Sequence, residues 1–103
     1  MASTRQRGRD LELKVKAYYE ALGYRCQLAP LPTRWSLSND FFHLWDLVGV
    51  NDLETIWVQI KLNKGDSYGK KLDAHRAWPV PPNTRKLCVV WPPYTREPEI
   101  SVL

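Results

Sequence analysis

Leu11, Val15, Tyr18 and Leu22 recur at steps of four, three and four. That is the period of one helix face, and it predicts a helix from Arg9 or Asp10 to Leu22, which Gly23 ends. Tyr24 to Leu28 reads as a short strand, and Pro30 and Pro32 open a loop that runs to about Phe42. Two strands follow, His43 to Val50 and Thr55 to Leu62, both rich in β-branched and aromatic residues. The short polar segment Asn51-Asp52-Leu53-Glu54 joins them as a hairpin. In the second strand Ile56, Val58, Ile60 and Leu62 take one face, while Trp57, Gln59 and Lys61 take the other. After a turn at Lys64-Gly65-Asp66, Ser67 to Trp78 predicts a second helix on Tyr68, Leu72 and His75 or Arg76, weakened by Gly69 and stopped by the prolines from Pro79 to Pro82. Leu87 to Trp91 is a continuous apolar run of the kind a buried strand carries, and Glu99 to Leu103 adds a short edge strand. The order αβββαβ predicts an α/β fold: a central mixed β-sheet of four to five strands flanked by helices.

The 103 residues are one domain's worth, with 44% hydrophobic and 25% charged residues, a globular balance that argues against wholesale disorder. No window approaches the ~18 uninterrupted apolar residues of a membrane span. The basic start of the chain has no apolar stretch behind it, so the expectation is a non-exported, cytoplasmic protein. Cys26 and Cys88 are far apart and lack a neighbouring His or Cys at ligand spacing, so they read as buried thiols rather than as zinc ligands or a disulfide framework. The formal charge of +4 is local in origin. Residues 1 to 16 hold five basic and two acidic groups, and residues 61 to 71 hold four Lys against Asp66 alone. Two basic patches of this kind suit a phosphate backbone, although charge alone does not distinguish a nucleic-acid binder from a merely basic domain.

Asp46 lies within the apolar run Leu44 to Val50, where an ionised carboxylate is costly unless something compensates it. Gln59 and Lys61 share one face of the adjacent hairpin strand. Carboxylate and amide oxygens beside an ammonium suit a hard divalent cation such as Mg²⁺, and the Lys can orient a water or take part in its deprotonation. The structural alternative is an Asp46–Lys61 bridge, with Gln59 satisfying a neighbouring backbone group.

The segment Asp46-Leu47-Val48-Gly49-Val50, a turn, then Trp57-Val58-Gln59-Ile60-Lys61 resembles the signature of the PD-(D/E)XK nuclease superfamily. Upstream, Gly8-Arg9-Asp10-Leu11-Glu12 is similar to the helix opening of the archaeal-type Holliday-junction resolvase branch, and Leu22-Gly23-Tyr24 is similar to its helix-ending step. The resemblance spans about residues 7 to 63 and implies a restriction-endonuclease-like core. It implies Glu12 as a metal ligand, directly or through water, Asp46 as the central ligand, Gln59 in the second ligand position, the Ile60 carbonyl as a further ligand and Lys61 as the catalytic Lys. Mg²⁺ is the implied cofactor, with Mn²⁺ able to substitute. Gln59 departs from the usual acid at its position; Gln also occurs there in methyl-directed restriction endonucleases.

The expected DNA contacts are Arg5, Arg7 and Arg9 in the basic segment 1 to 9, and Arg34, Ser36 and Ser38 in the loop where resolvases carry a Ser. Lys64, Lys70 and Lys71 follow the strand of Lys61. Trp35 either stacks on an unpaired base or packs in the core; His43 reads as structural, and Glu20, Asp73 and His75 as solvated helix-face residues. The combined expectation is a metal-dependent endodeoxyribonuclease of prokaryotic or phage origin that cuts four-way DNA junctions as a homodimer. Trp78, Val89, Trp91 and Tyr94 are candidates for its contact surface. Two rivals stand beside it: a restriction- or nicking-type endonuclease of the same fold, and a DNA-binding module without turnover.

Overall fold

A computed structural model describes residues 4–30, 41–42, 44–63 and 68–103, with the backbone alone for residues 4–7, 68 and 71. The elements are α1 (Thr4–Ala21), β1 (Arg25–Leu28), β2 (Leu47–Val50), β3 (Thr55–Lys61), α2 (Tyr68–Lys71), α3 (Asp73–Ala77), β4 (Thr84–Val90) and β5 (Glu99–Val102). They form an α/β fold around one five-stranded mixed sheet in the order β1-β2-β3-β4-β5. β1, β2 and β3 run antiparallel in succession, β4 lies parallel to β3, and β5 turns back along β4. The parallel step requires a crossover, and α2 and α3 supply it.

α1 begins at Thr4, earlier than its apolar stripe, because Arg5, Gln6, Arg7 and Arg9 are good helix formers that contribute nothing to an apolar period. Its buried residues are Leu11, Val15 and Tyr19, while Leu22 is exposed, so the stripe follows the 3.6-residue turn through Tyr19 and leaves Tyr18 at its border. The helix ends where Gly23 takes a φ of +100°. The Gly23 N–H reaches the Glu20 carbonyl at 3.1 Å, the Tyr24 N–H reaches that of Tyr19 at 3.1 Å, and the two tyrosine rings meet edge to face at 5.7 Å. This is a Schellman cap with its apolar contact.

One sheet face buries Leu47, Ile56, Val58, Ile60, Leu87 and Val89 under α1. The other buries Cys88 and Val90 with Leu72, which sits between α2 and α3. Val89 and Trp91 are 0% and 6% exposed, so these two expected contact residues belong to the core; Tyr94 is exposed. A strand covered on both faces has no polar alternation to reveal which side meets solvent. Cys88 is buried as expected, whereas Cys26 is only half-buried; neither is in a disulfide. The crossover helix expected over residues 67–78 is two short helices, broken at Leu72. Buried Lys86 caps the second, its ammonium donating to the carbonyls of Arg76 and, at 2.8 Å, Trp78. Among the described residues no helix is long and apolar enough to cross a membrane.

The β2–β3 hairpin turns at Asn51, whose Oδ1 accepts from the Leu53 and Glu54 N–H groups at 2.9 and 2.8 Å. Gly49, in β2, has its absent side chain directed at packed atoms. A Cβ there would lie 3.0 Å from Ile56 Cγ1 and 3.3 Å from Cys26 Sγ. Since Ile56 is fully buried, Gly49→Ala is expected to cost about 1–3 kcal/mol of stability, read as a lowered urea midpoint.

At the sheet end remote from Lys61, the Tyr24 hydroxyl donates to the Glu54 carboxylate, and Arg85 Nε and Nη2 donate to the same oxygen at 2.9 and 2.6 Å. The Tyr24 hydrogen bond first, and those of Arg85 after it, hold the Glu54 carboxyl below its ordinary value of 4.5. A depressed folded value contributes stability that is fully present above pH 4.5 and lost as pH falls through the folded value. The melting temperature is therefore expected to fall more steeply below pH 4.5 in the wild type than in Glu54→Gln, with the two curves converging in acid.

Candidate active site

Asp46 sits at the head of β2 and is 9% exposed. Its N–H donates to the Val58 carbonyl at 2.9 Å, and its own carboxylate Oδ2 accepts the Ile60 N–H at 2.8 Å. A side-chain oxygen thus stands in for a strand carbonyl. The regular ladder stops at Leu47 for this reason, and the strand expected from His43 is shorter at its start. His43 itself lies outside the described residues.

Gln59 closes on the same oxygen. With its nitrogen turned inward, as two oxygen neighbours require, the carboxamide donates to Asp46 Oδ2 at 3.1 Å and to the Leu44 carbonyl at 2.6 Å. Lys61 is two residues further along β3, half-buried, with its backbone carbonyl accepting from Trp91 N–H at 3.0 Å. Asp46, Gln59 and the Ile60 backbone therefore come together, with Lys61 on the sheet face of Gln59. No ion pair joins Asp46 to Lys61 among the described residues, so that part of the structural alternative is absent, whereas Gln59 does satisfy a backbone group as that alternative expected.

A chain of contacts runs from Glu12 on α1 to the backbone carbonyl of Asp46. Arg9, one turn earlier, pairs with Glu12 at 3.0 Å and donates to the Ala29 carbonyl at 3.2 Å, while the Ala29 N–H donates to the Asp46 carbonyl at 2.9 Å. Both side chains of the pair are about three-quarters covered, which fixes Glu12 toward the β1 side of α1. Arg9 is thus engaged within the protein. Lys70 is exposed on α2. Arg34, Ser36, Ser38 and Lys64 lie outside the described residues, as does Trp35, and so do the side chains of Arg5, Arg7 and Lys71.

No family model and no curated protein matches this chain. What the site can hold therefore has to be read from its donors. Among the described residues no three His, Cys, Asp or Glu side chains are grouped to hold a metal ion, so a cation here would rely on amide and backbone oxygens. The chemistry of those oxygens fits a hard divalent ion. Turned through half a rotation, the Gln59 carboxamide brings its oxygen against Asp46 Oδ2 and the Leu44 carbonyl, three oxygens whose mutual repulsion a cation relieves.

His75 is not on the solvated helix face that its polarity predicts. It is buried, its Nε2 lies 2.7 Å from the Leu44 carbonyl oxygen, and its ring stands edge-on to Trp45 at 4.9 Å. Its three-residue spacing from Leu72 is the signal that places both on the inner face of the crossover. Exposed Asp73 and Glu20 are solvated as expected. Beyond Trp45 lie Trp57, Trp78, Phe41 and Phe42, an aromatic cluster that no helical or strand period announces. A cleft of about 530 Å³ between Asp10, Lys14, Leu62 and Trp91 lies on the opposite flank of α1 from Arg9 and Glu12 and includes neither Asp46 nor Gln59.

Proposed function

We propose that this protein is a metal-dependent endodeoxyribonuclease of the PD-(D/E)XK kind, acting in the cytoplasm on four-way DNA junctions as a homodimer. The observation that carries the reading is Asp46. A buried carboxylate at the head of β2 is bound across the hairpin to Ile60 and Gln59, with Lys61 two residues beyond Gln59, in a chain of αβββααββ order. Asp46, Gln59, the Ile60 carbonyl and Glu12 are the groups that would hold Mg²⁺ or Mn²⁺, and a bound ion would supply Lewis-acid polarisation of a phosphate and its attacking water.

The remaining chemistry belongs to the chain itself. Lys61 directs an ammonium to the site, where it orients a water or shields charge growing on a phosphate oxygen. Arg9 fixes the rotamer of Glu12 through its second contact at Ala29. The hydrogen bond from Ile60 fixes the Asp46 carboxylate before any ligand arrives, whereas the Gln59 carboxamide has to turn over before its oxygen can join it. Symmetric cutting of a junction needs two such sites, which a twofold homodimer supplies.

The test is cleavage of a labelled four-way junction, a linear duplex and single-stranded DNA with Mg²⁺ or Mn²⁺, beside Lys61→Ala and with mass by light scattering. Junction cutting lost in Lys61→Ala with binding retained supports the proposal; equal cutting of linear duplex moves it to a restriction- or nicking-type enzyme. A second reading, a DNA-binding module without turnover, is favoured by one observation: Gln59 spends its amide on Asp46 and Leu44. Binding without cutting under either metal selects that reading. Gln59→Glu tests coordination, because an acid there tightens metal binding if the position is a ligand.

A further inference from the structure

We propose that Phe42, backed by Trp57 and Trp78, is a stacking platform for an unstacked nucleobase beside the Asp46 site; the inference rests on the DNA reading above and names the part of the substrate that the protein distinguishes. Phe42 is 66% exposed and has a φ of +54°, the left-handed region that a bulky side chain rarely occupies. It sits in a tight turn closed by Phe41 and Trp45, whose N–H and carbonyl groups exchange bonds at 2.8 and 3.0 Å. Backbone strain that presents an aromatic ring to water gains the fold little, which is the pattern of a residue kept for contact.

The ring is not loose. It lies 5.3 Å from Trp78 at a tilt of 44° and 5.9 Å from Trp57 at 70°, and Trp57 meets Trp78 at 5.0 Å. Trp45 packs against both indoles, at 6.5 Å from Trp57 and 5.6 Å from Trp78, and His75 packs against Trp45. Phe42 is therefore an exposed ring seated on two packed indoles.

Position and charge select the ligand. Trp57 precedes Gln59 by two residues on the same face of β3, a step of about 7 Å. A base stacked on Phe42 would thus belong to a nucleotide within one or two of a phosphate near Asp46 and Lys61. Half-buried Lys61 lies further along the same face of β3 and is the cation beside the patch, whereas buried Lys86 spends its ammonium on the Arg76 and Trp78 carbonyls. Of the nearby carboxylates, Asp73 is paired with Arg76 and Asp46 accepts from Ile60. Inside a duplex every base face is stacked, whereas an opened branch point frees one, so with duplex ends closed by hairpins the platform favours branched over linear DNA without reading base edges.

The experiment measures affinity, in EDTA and at one fixed salt concentration, for a four-way junction and a linear duplex of equal length, both with ends closed by hairpins. The junction carries a fluorescent aminopurine at the branch point. Phe42→Ala is expected to weaken junction binding on the order of 10-fold, leave duplex binding unchanged and abolish the fluorescence change, while Phe42→Tyr restores all three towards the wild type. A halogenated uracil at the branch point is expected to photocrosslink wild-type protein at Phe42 or Trp57, a readout that needs no variant. Junction affinity and fluorescence unchanged in Phe42→Ala, or a crosslink elsewhere, overturn the platform and leave the DNA reading standing. Wild-type protein that binds neither DNA overturns both. A Phe42→Ala mass change without DNA makes the patch a contact between copies and overturns the platform alone.

Discussion

Asp46→Asn is expected to stay folded, to bind junction DNA and to lose cleavage by more than about 100-fold, since even groups that merely support a metal ligand cost 10–100-fold when removed. The two changes hidden in this substitution separate cleanly. Asn keeps the shape of Asp and offers an oxygen to the Ile60 N–H that Asp46 Oδ2 now accepts at 2.8 Å. What disappears is the negative charge. Asp46→Ala removes both and leaves the Ile60 N–H buried without its acceptor, at a further cost of about 1–3 kcal/mol in stability. Urea unfolding of the two variants beside single-turnover cleavage therefore splits the carboxylate's structural part from its chemical part. An Asp46→Asn protein that cuts at near wild-type rates removes Asp46 from the chemistry and, with it, the proposed site.

The order of elements was legible because each is punctuated locally. Gly23 stops α1 through its positive φ, Asn51 turns the hairpin with its own side chain, and the apolar run of β4 is buried on both faces. Of the proposed site, the hairpin placed Asp46 against Gln59, since two strands joined by a short turn must bring such positions together. Three features were not legible, each for a tertiary reason. The chain of contacts from Glu12 to the Asp46 carbonyl depends on Arg9 reaching a carbonyl 20 residues away, which no helical period encodes. His75 is polar by type and buried by virtue of the Leu44 carbonyl, a partner 31 residues distant. Val89 and Trp91 read as surface candidates because a doubly covered strand looks alike on both sides.

Trp45→Ala is expected to cost about 3–5 kcal/mol, a large part of the 5–15 kcal/mol by which a domain of this size is stable. Trp45 is 0% exposed, and its indole lies 4.9 Å from His75, 5.6 Å from Trp78 and 6.5 Å from Trp57. Truncation leaves a cavity under all three. The backbone neighbours make the loss functional as well: Leu44 supplies the carbonyl on which Gln59 and His75 converge, and Asp46 follows directly. Slackening this turn allows the carboxylate to move against Ile60, and small misplacements of a positioned group cost rate steeply. Trp45→Phe provides the contrast. The Trp45 Nε1 finds no acceptor among the described residues, so Phe removes an unsatisfied buried donor while keeping most of the aromatic volume, and its cost is expected to stay near 1–2 kcal/mol with cleavage retained. Denaturant midpoints rank the two variants. Equal losses from Ala and Phe would mean that the outer ring of the indole, whose space Phe does not fill, carries the packing on this side of the sheet.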